Sequence, residues 1–346
     1  MFSYIEGKND AKNFREAYVA GIRTLIADGY LMQENKRTVY ISGIAKNPEK
    51  YRADFKNVLG FPLNCQRCMN IKPYLSKILL YEDTQKAIYR ATVTVLDCVP
   101  FTGLLFLHKD KAPHPFLVSQ HGGDGTPELC SGLYEDGTYN YNDMTQRIFH
   151  LGANVFAPQL LLWHDDFVSD NLVRSDRNLI DAQLKQLGGS ITALEVYCIM
   201  KSLDAFCQAG IADENHLGMI GLSYGGFYTL YTAAADPRIK AALSCSFYNK
   251  RASYPRVDWT WMGSAAKFFD AEVAMLVYPR CLRIAVGDSD ELFDSQLAEK
   301  EFDRLHQLSQ EIYGRTDWLN TCVFPGTHEF IRNDDFITQV IEAVAK

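Results

Sequence analysis

The chain has 346 residues, 47% apolar and 22% charged, so it is long enough and apolar enough to bury a large core. Its net charge is −7 with no lysine- or arginine-rich run, which argues against nucleic acid or an anionic membrane surface as a partner. No stretch approaches the roughly 18 apolar residues of a membrane span, and the opening "MFSYIEGKNDAKNFREAY" lacks the apolar segment of a signal peptide.

Residues 1–80 read as a helical extension. In "NFREAYVAGIRTLIADGYL", Phe14, Tyr18, Ile22, Leu25 and Ile26 recur at three- and four-residue steps and share one helix face. That face is expected to pack on the core, with covering the site or a homo-oligomer contact as the other roles open to it. "YRADFKNVLGFPLN" is a second, shorter helix ended by Gly60 and Pro62. Cys65 and Cys68 form one C-x-x-C, but no second Cys/His pair accompanies them, so two incidental thiols are expected and no metal. Nine cysteines in contexts such as "EVYCIM" and "ALSCSF" suggest reduced, buried thiols and a cytoplasmic protein.

From residue 81 the texture changes. "AIYRATVTVLD" and "FTGLLFLHK" suggest an antiparallel pair of strands, and "PFLVSQHGG" a strand ending in glycines. Strands and helices then alternate: "DMTQRIFHLG", "ANVFAPQL", "SITALEVYCIMKSLDAFCQAG", "HLGMIGLS", "GGFYTLYTAAAD", "IKAALSCSF", "CLRIAVGD", "WLNTCVF" and "DDFITQVIEAVAK". Such alternation implies an α/β domain over 81–346, a mostly parallel sheet with helices on both faces. Its site should lie beyond the carboxyl ends of the strands. Residues 163–190 and 247–272 break the alternation and read as lid-like insertions above the sheet.

The chemistry-bearing residues fall at those strand ends. Gly221-Leu222-Ser223-Tyr224-Gly225 is a G-x-S-x-G set between a buried strand and a helix, where glycines two before and two after make room for a sharp turn that presents the serine. A serine needs a base. His328, in "FPGTHEF" after the last strand, fits that place. His108, His114, His150 and His306 have bland positions. An orienting acid should follow another strand; "LRIAVGDSDELFD" offers Asp288, Asp290 and Asp294, and pattern alone does not separate Asp288 from Asp290. The amide of Tyr224 and that of Gly123, in "SQHGGDG", are the candidate oxyanion donors, with His121 bracing the loop. Aromatic residues of the excursions are candidate pocket residues: Tyr134, Tyr139, Tyr141, Trp163, His164, Trp259 and Trp261. Lys250, Arg251 and Arg256 form a basic cluster nearby. No cofactor is indicated.

The set "HGG", "GLSYGG", "VGDSDELFD" and "GTHEF" resembles the serine α/β-hydrolases, most of all their acetyl-xylan-esterase and dienelactone-hydrolase-like branch, related to prolyl-oligopeptidase-type catalytic domains. The resemblance spans about residues 80–346. It implies the α/β-hydrolase fold, with an acid three residues after the strand-ending glycine, which favours Asp290 after Gly287, and a first oxyanion amide at Gly123. It further implies a serine esterase that acts on a small-molecule ester. A propeller-less peptidase and a non-catalytic binding module are the alternatives.

Overall fold

The computed structural model describes residues 6–133, 139–163 and 177–346. The predicted Tyr134 and His164 therefore lie outside the described residues, as does the side chain of Tyr139. β1 (Tyr74–Glu82), β2 (Lys86–Val95) and β3 (Val99–His108) form an antiparallel meander. β4 (Phe116–Gln120), β5 (Asn154–Pro158), β6 (Leu217–Leu222), β7 (Ile239–Cys245), β8 (Cys281–Gly287) and β9 (Leu319–Phe324) run parallel to one another. All join one sheet in the order β1-β2-β3-β5-β4-β6-β7-β8-β9, with β3 antiparallel to β5.

The parallel strands read as near-continuous apolar runs because both of their faces are covered. Phe116 and Val118 of β4, Phe156 of β5, and Ile284 and Val286 of β8 face one core. Helices α2 (Pro48–Leu59), α5 (Ile191–Gln208), α6 (Tyr224–Ala235) and α8 (Ser295–Tyr313) contribute Phe55, Val196, Phe227 and Phe302 to it. Leu117, Val155, Ala157 and Ala285 point the other way, into a second core with Ile148 of α3 (Met144–His150) and Val340 of α9 (Asp335–Ala345). Two further helices, α4 (Arg177–Gln186) and α7 (Asp270–Met275), lie in or at the end of the predicted excursions.

From β4 the chain turns to one side to place β5 and to the other to place β6. The sheet thus reverses direction at β4, and a crevice opens outside the carboxyl ends of β4 and β6, where such sheets bind ligands.

Two features of the first 80 residues depart from the sequence-based expectation. Strand β1 starts at Tyr74, inside the segment read as helical. It is a sheet edge exposed on both faces, so it carries none of the apolar alternation that marks a half-buried strand. The long helix α1 (Lys8–Ile41) is present, but its predicted apolar face does not pack on the core. Phe14, Tyr18, Ile22, Leu25 and Ile26 are all exposed, and only Arg37 and Ile41 of this helix are buried. Its last turns moor it: Arg37 donates to the Ala265 carbonyl at 2.6 Å, pairs with Glu272 at 3.5 Å and lies over the Phe269 ring. No helix among the described residues is long and apolar enough to cross a membrane.

Candidate active site

At the end of β6 the backbone turns sharply into α6, with Ser223 at φ 58°, ψ −119°. A non-glycine residue held there costs on the order of 1–3 kcal/mol, which the surroundings must offset. The Ser223 amide donates to the Cys245 carbonyl at 2.8 Å, and Phe227 N–H donates back to the Ser223 carbonyl at 2.9 Å. The flanking glycines answer to the same crowding. A Cβ on Gly221 would lie 2.3 Å from the Gly225 carbonyl oxygen, and one on Gly225 would lie 2.0 Å from that of Gln120. Strand β4 and helix α6 can approach this closely only if neither glycine carries a side chain.

A cavity of about 530 Å³ opens above this turn, lined by Ser223, Tyr224, Gly123, Tyr141, Arg256 and His328 among others. His328 reaches it from the loop after β9. Its Nδ1 is 2.9 Å from Asp290 Oδ2. Asp290 is itself fixed from the other side, where its Oδ1 accepts the amides of Leu292 at 2.8 Å and Phe293 at 3.0 Å. The two remaining acids of the β8 loop have other partners. Asp288 accepts the Gly326 amide at 3.2 Å and the Ser289 hydroxyl at 2.9 Å, and those hydrogen bonds hold its carboxyl below the usual range. Asp294 caps α8 through the amides of Gln296 and Leu297. Of the candidates left open by pattern, Asp290 is the one whose carboxylate meets His328.

The loop after β4 supplies the opposite wall. Gly122 N–H donates to the Tyr141 hydroxyl at 2.9 Å, which leaves the next amide, Gly123, without a partner among the described residues. The Tyr224 amide is likewise unpartnered, at the first position of α6, where the helix dipole places partial positive charge. The two units adjoin, since a Cβ on Gly123 would lie 3.5 Å from Tyr224 Cδ2.

His121 lies wholly beneath this loop. Its Nε2 accepts the Leu160 amide at 3.0 Å, so Nδ1 carries the proton it gives to the Gly122 carbonyl at 2.8 Å. Burial pulls its pKa down to about 4. An imidazole that protonates near 6.5 in the unfolded chain and near 4 in the folded one gives full stability above pH 6.5 and removes it as pH falls towards 4. The loss is on the order of 3 kcal/mol. Urea unfolding midpoints should therefore fall between pH 6.5 and 4, and His121→Gln should flatten that window; an unchanged slope would refute the assignment.

Sequence reasoning missed the buried network behind the cavity. Arg177 donates to Asp258 at 2.7 Å, to Glu195 at 3.1 Å and to the Tyr228 hydroxyl at 2.7 Å, while the Tyr224 hydroxyl donates to Asp258 at 3.0 Å. This joins the two excursions to each other and to α6. Burial, with Asp258 adding to it, pushes the Tyr224 hydroxyl up to about 12, so it stays a donor. Only the pattern of buried charge in three dimensions carries this signal, because Arg177, Glu195 and Asp258 are far apart in sequence.

Several predicted pocket residues are elsewhere. Trp259 and Trp261 are buried in the core and do not line the cavity: Trp259 stacks on Phe227 at 5.1 Å, and Trp261 Nε1 donates to Ser190. Their aromatic size suits a core as well as a pocket, and the core claims them. Trp163 is half-buried and outside the cavity lining as well. The basic cluster divides. Arg251 is buried against Asp270 at 2.6 Å, whereas Arg256 lines the cavity with its guanidinium over the rings of Tyr224 and Trp259.

Elsewhere, His108, Asp110 and His114 bring potential ligand atoms within 4.8 Å of one another. The two rings are stacked 4.0 Å apart and nearly parallel, so their in-plane lone pairs cannot converge on one ion.

No protein-family model matches the chain. A Bacillus subtilis (strain 168) protein provisionally named as a hydrolase, YtaP, is 26% identical over 205 residues, covering 56% of this chain and 66% of its own length. Among solved structures, a protein of Bacteroides fragilis provisionally named an acetyl xylan esterase superposes with a TM-score of 0.67 at 14% identity, over 89% of this chain and 88% of its own. Methylesterase BT1017 gives 0.63 at 18% identity, over 91% of this chain and 68% of its own. A glucuronoyl esterase from Solibacter usitatus gives 0.60 at 12% identity, over 87% and 93%. At such identities the likeness is one of architecture, and it agrees with the sheet order and the strand-to-helix turn at Ser223. The chain has the α/β-hydrolase fold.

Proposed function

We propose that this chain is a serine hydrolase that cleaves carboxylic esters, of small acyl groups or acetylated carbohydrates, through an acyl-enzyme. The observation that carries the reading is the His328–Asp290 hydrogen bond on the wall of the cavity that Ser223 lines. Ser223 Oγ attacks the ester carbonyl carbon while His328 takes its proton, and the charge on the carbonyl oxygen is met by the Gly123 and Tyr224 amides. His328 then protonates the departing alcohol, and a water, deprotonated by the same imidazole, releases the acid. Asp290 holds the His328 tautomer and stabilises the imidazolium.

All of these residues come from 81–346, the expected catalytic unit. A cavity of about 530 Å³ suits a small-molecule ester, and the esterase names of the structural neighbours favour esters over amides. Nine unpaired cysteines suit the reducing cytoplasm. A panel of p-nitrophenyl acyl esters beside aminoacyl-p-nitroanilides tests the reading: faster turnover of short acyl esters is expected, and dominant turnover of the anilides would make it a peptidase instead.

A further inference from the structure

Helix α1 leaves an apolar stripe that no described residue covers. Phe14, Tyr18, Leu25, Met32 and Val39 are 59–75% exposed, and they fall on one side of the helix. Contiguous exposed apolar surface of this kind marks an interaction site. Most helices take their stability from a packed face, and this one packs only its last turns.

The arrangement along the stripe fits a second copy of the same helix as its partner. At a helical repeat of 3.6, one seam runs through Ala11, Phe14, Tyr18, Gly21, Leu25, Gly29, Met32, Lys36 and Val39. Its steps are 3, 4, 3, 4, 4, 3, 4 and 3, which read the same in both directions about Leu25. Under that symmetry Gly21 meets Gly29, a match in residue type, while Tyr18 meets Met32, Phe14 meets Lys36 and Ala11 meets Val39. Self-complementarity about a central point is the condition for an isologous, two-fold contact between antiparallel copies.

The glycines support this independently. Glycine is the worst helix former after proline, and two occur in the interior of α1. A Cβ at either would meet nothing within 4 Å, so no contact among the described residues requires glycine there. In an antiparallel pair centred on Leu25, Gly21 of one helix faces Gly29 of the other on both sides of the axis, and the backbones can come close. The Lys36 stem would lie along the partner's Phe14 ring, with its ammonium free to reach solvent.

The area is modest. From Ala11 to Val39 the seam is about 42 Å long, and one helix is about 10–12 Å wide, so each copy offers a strip of about 450 Å² before side-chain relief is added. Relief brings this near the lower end of stable interfaces, about 600 Å² per partner.

We propose that α1 is a dimerisation helix that pairs antiparallel with α1 of a second copy about a two-fold axis at Leu25. The small area makes the dimer reversible. Sedimentation velocity of the full chain from about 1 to 100 µM should show a monomer–dimer equilibrium, and Leu25→Arg, at a site exposed in the single chain, should leave only monomer with unchanged melting of the catalytic body. For the register, Leu25→Cys should cross-link to itself on mild oxidation, with the linkage mapped by peptide mass spectrometry. Tyr18→Cys alone should not self-link, but mixed with Met32→Cys it should form an 18–32 link between chains. A monomer at every concentration, a dimer that survives Leu25→Arg, or self-linked Tyr18→Cys, which would mean parallel helices, each overturns the proposal.

Discussion

Ser223→Ala is expected to lower kcat for p-nitrophenyl acetate by about 10,000-fold or more while the protein still folds. The alcohol is the group that forms the covalent bond, so no neighbour can substitute for it, and residual turnover would come from the amides and binding alone. The side chain has no structural hydrogen bond at the helix start to lose, and alanine differs only by one oxygen. Melting by circular dichroism should therefore stay within a few degrees of the parent. Labelling by a fluorophosphonate, mapped to the peptide "GLSYGG", should vanish in the variant. A variant with parental turnover would remove Ser223 from the chemistry and, with it, the esterase reading.

The second large effect separates two neighbouring acids. Asp290→Asn should lower kcat by about 10,000-fold, because an amide that offers an N–H to Nδ1 favours the wrong imidazole tautomer and cannot stabilise the imidazolium. Asp288→Asn should leave kcat within about threefold. Asp288 is exposed, and it ties the β8 loop to Gly326 rather than touching the imidazole. Its cost should appear instead as a small drop in melting temperature, because the Gly326 amide loses a charged acceptor at the surface. Measured side by side at pH 8, the two variants differ by thousands-fold if Asp290 orients His328. Equal losses would mean the β8 loop acts as a unit and the assignment fails.

The elements most readable in the sequence were those whose residues meet a single dominant demand. The parallel strands are buried on both faces, so "HLGMIGLS" and, apart from Arg283, "CLRIAVGD" are near-continuous apolar runs and announce themselves. Ser223, Asp290 and His328 could be picked out as candidates because each lies within a few residues of a strand end and a glycine, and those features are local. Local pattern placed the acid only to within two residues. The choice between Asp288 and Asp290 depended on where the loop after β9 comes to rest against the loop after β8, a contact between segments some forty residues apart.

The same limit explains what was misplaced. A tryptophan in a loop after a strand carries no mark that says whether it lines a cavity or fills the core behind one; Trp259 and Trp261 do the second. An amphipathic helix likewise says that one face is apolar, not what covers it, and for α1 none of the described residues does. Strand β1, exposed on both sides, had no period to read.

The loop that carries His328 is held from the far side of the sheet's carboxyl edge. Arg147 of α3 donates to the carbonyls of Ile331, Arg332 and Asn333, Asn142 donates to Glu329 and Phe330, and the Ser246 hydroxyl donates to the Glu329 carbonyl. Loops commonly open with little free energy because few buried contacts hold them. This one is fastened at once to the Arg147 side chain of α3, to Asn142 just before that helix and to Ser246 just after β7, so opening it means breaking all of those bonds together. His328 is thereby anchored through its neighbours to α3 and to the end of β7, so amide exchange across residues 329–333 should be slower than in a surface loop that is free at its tip.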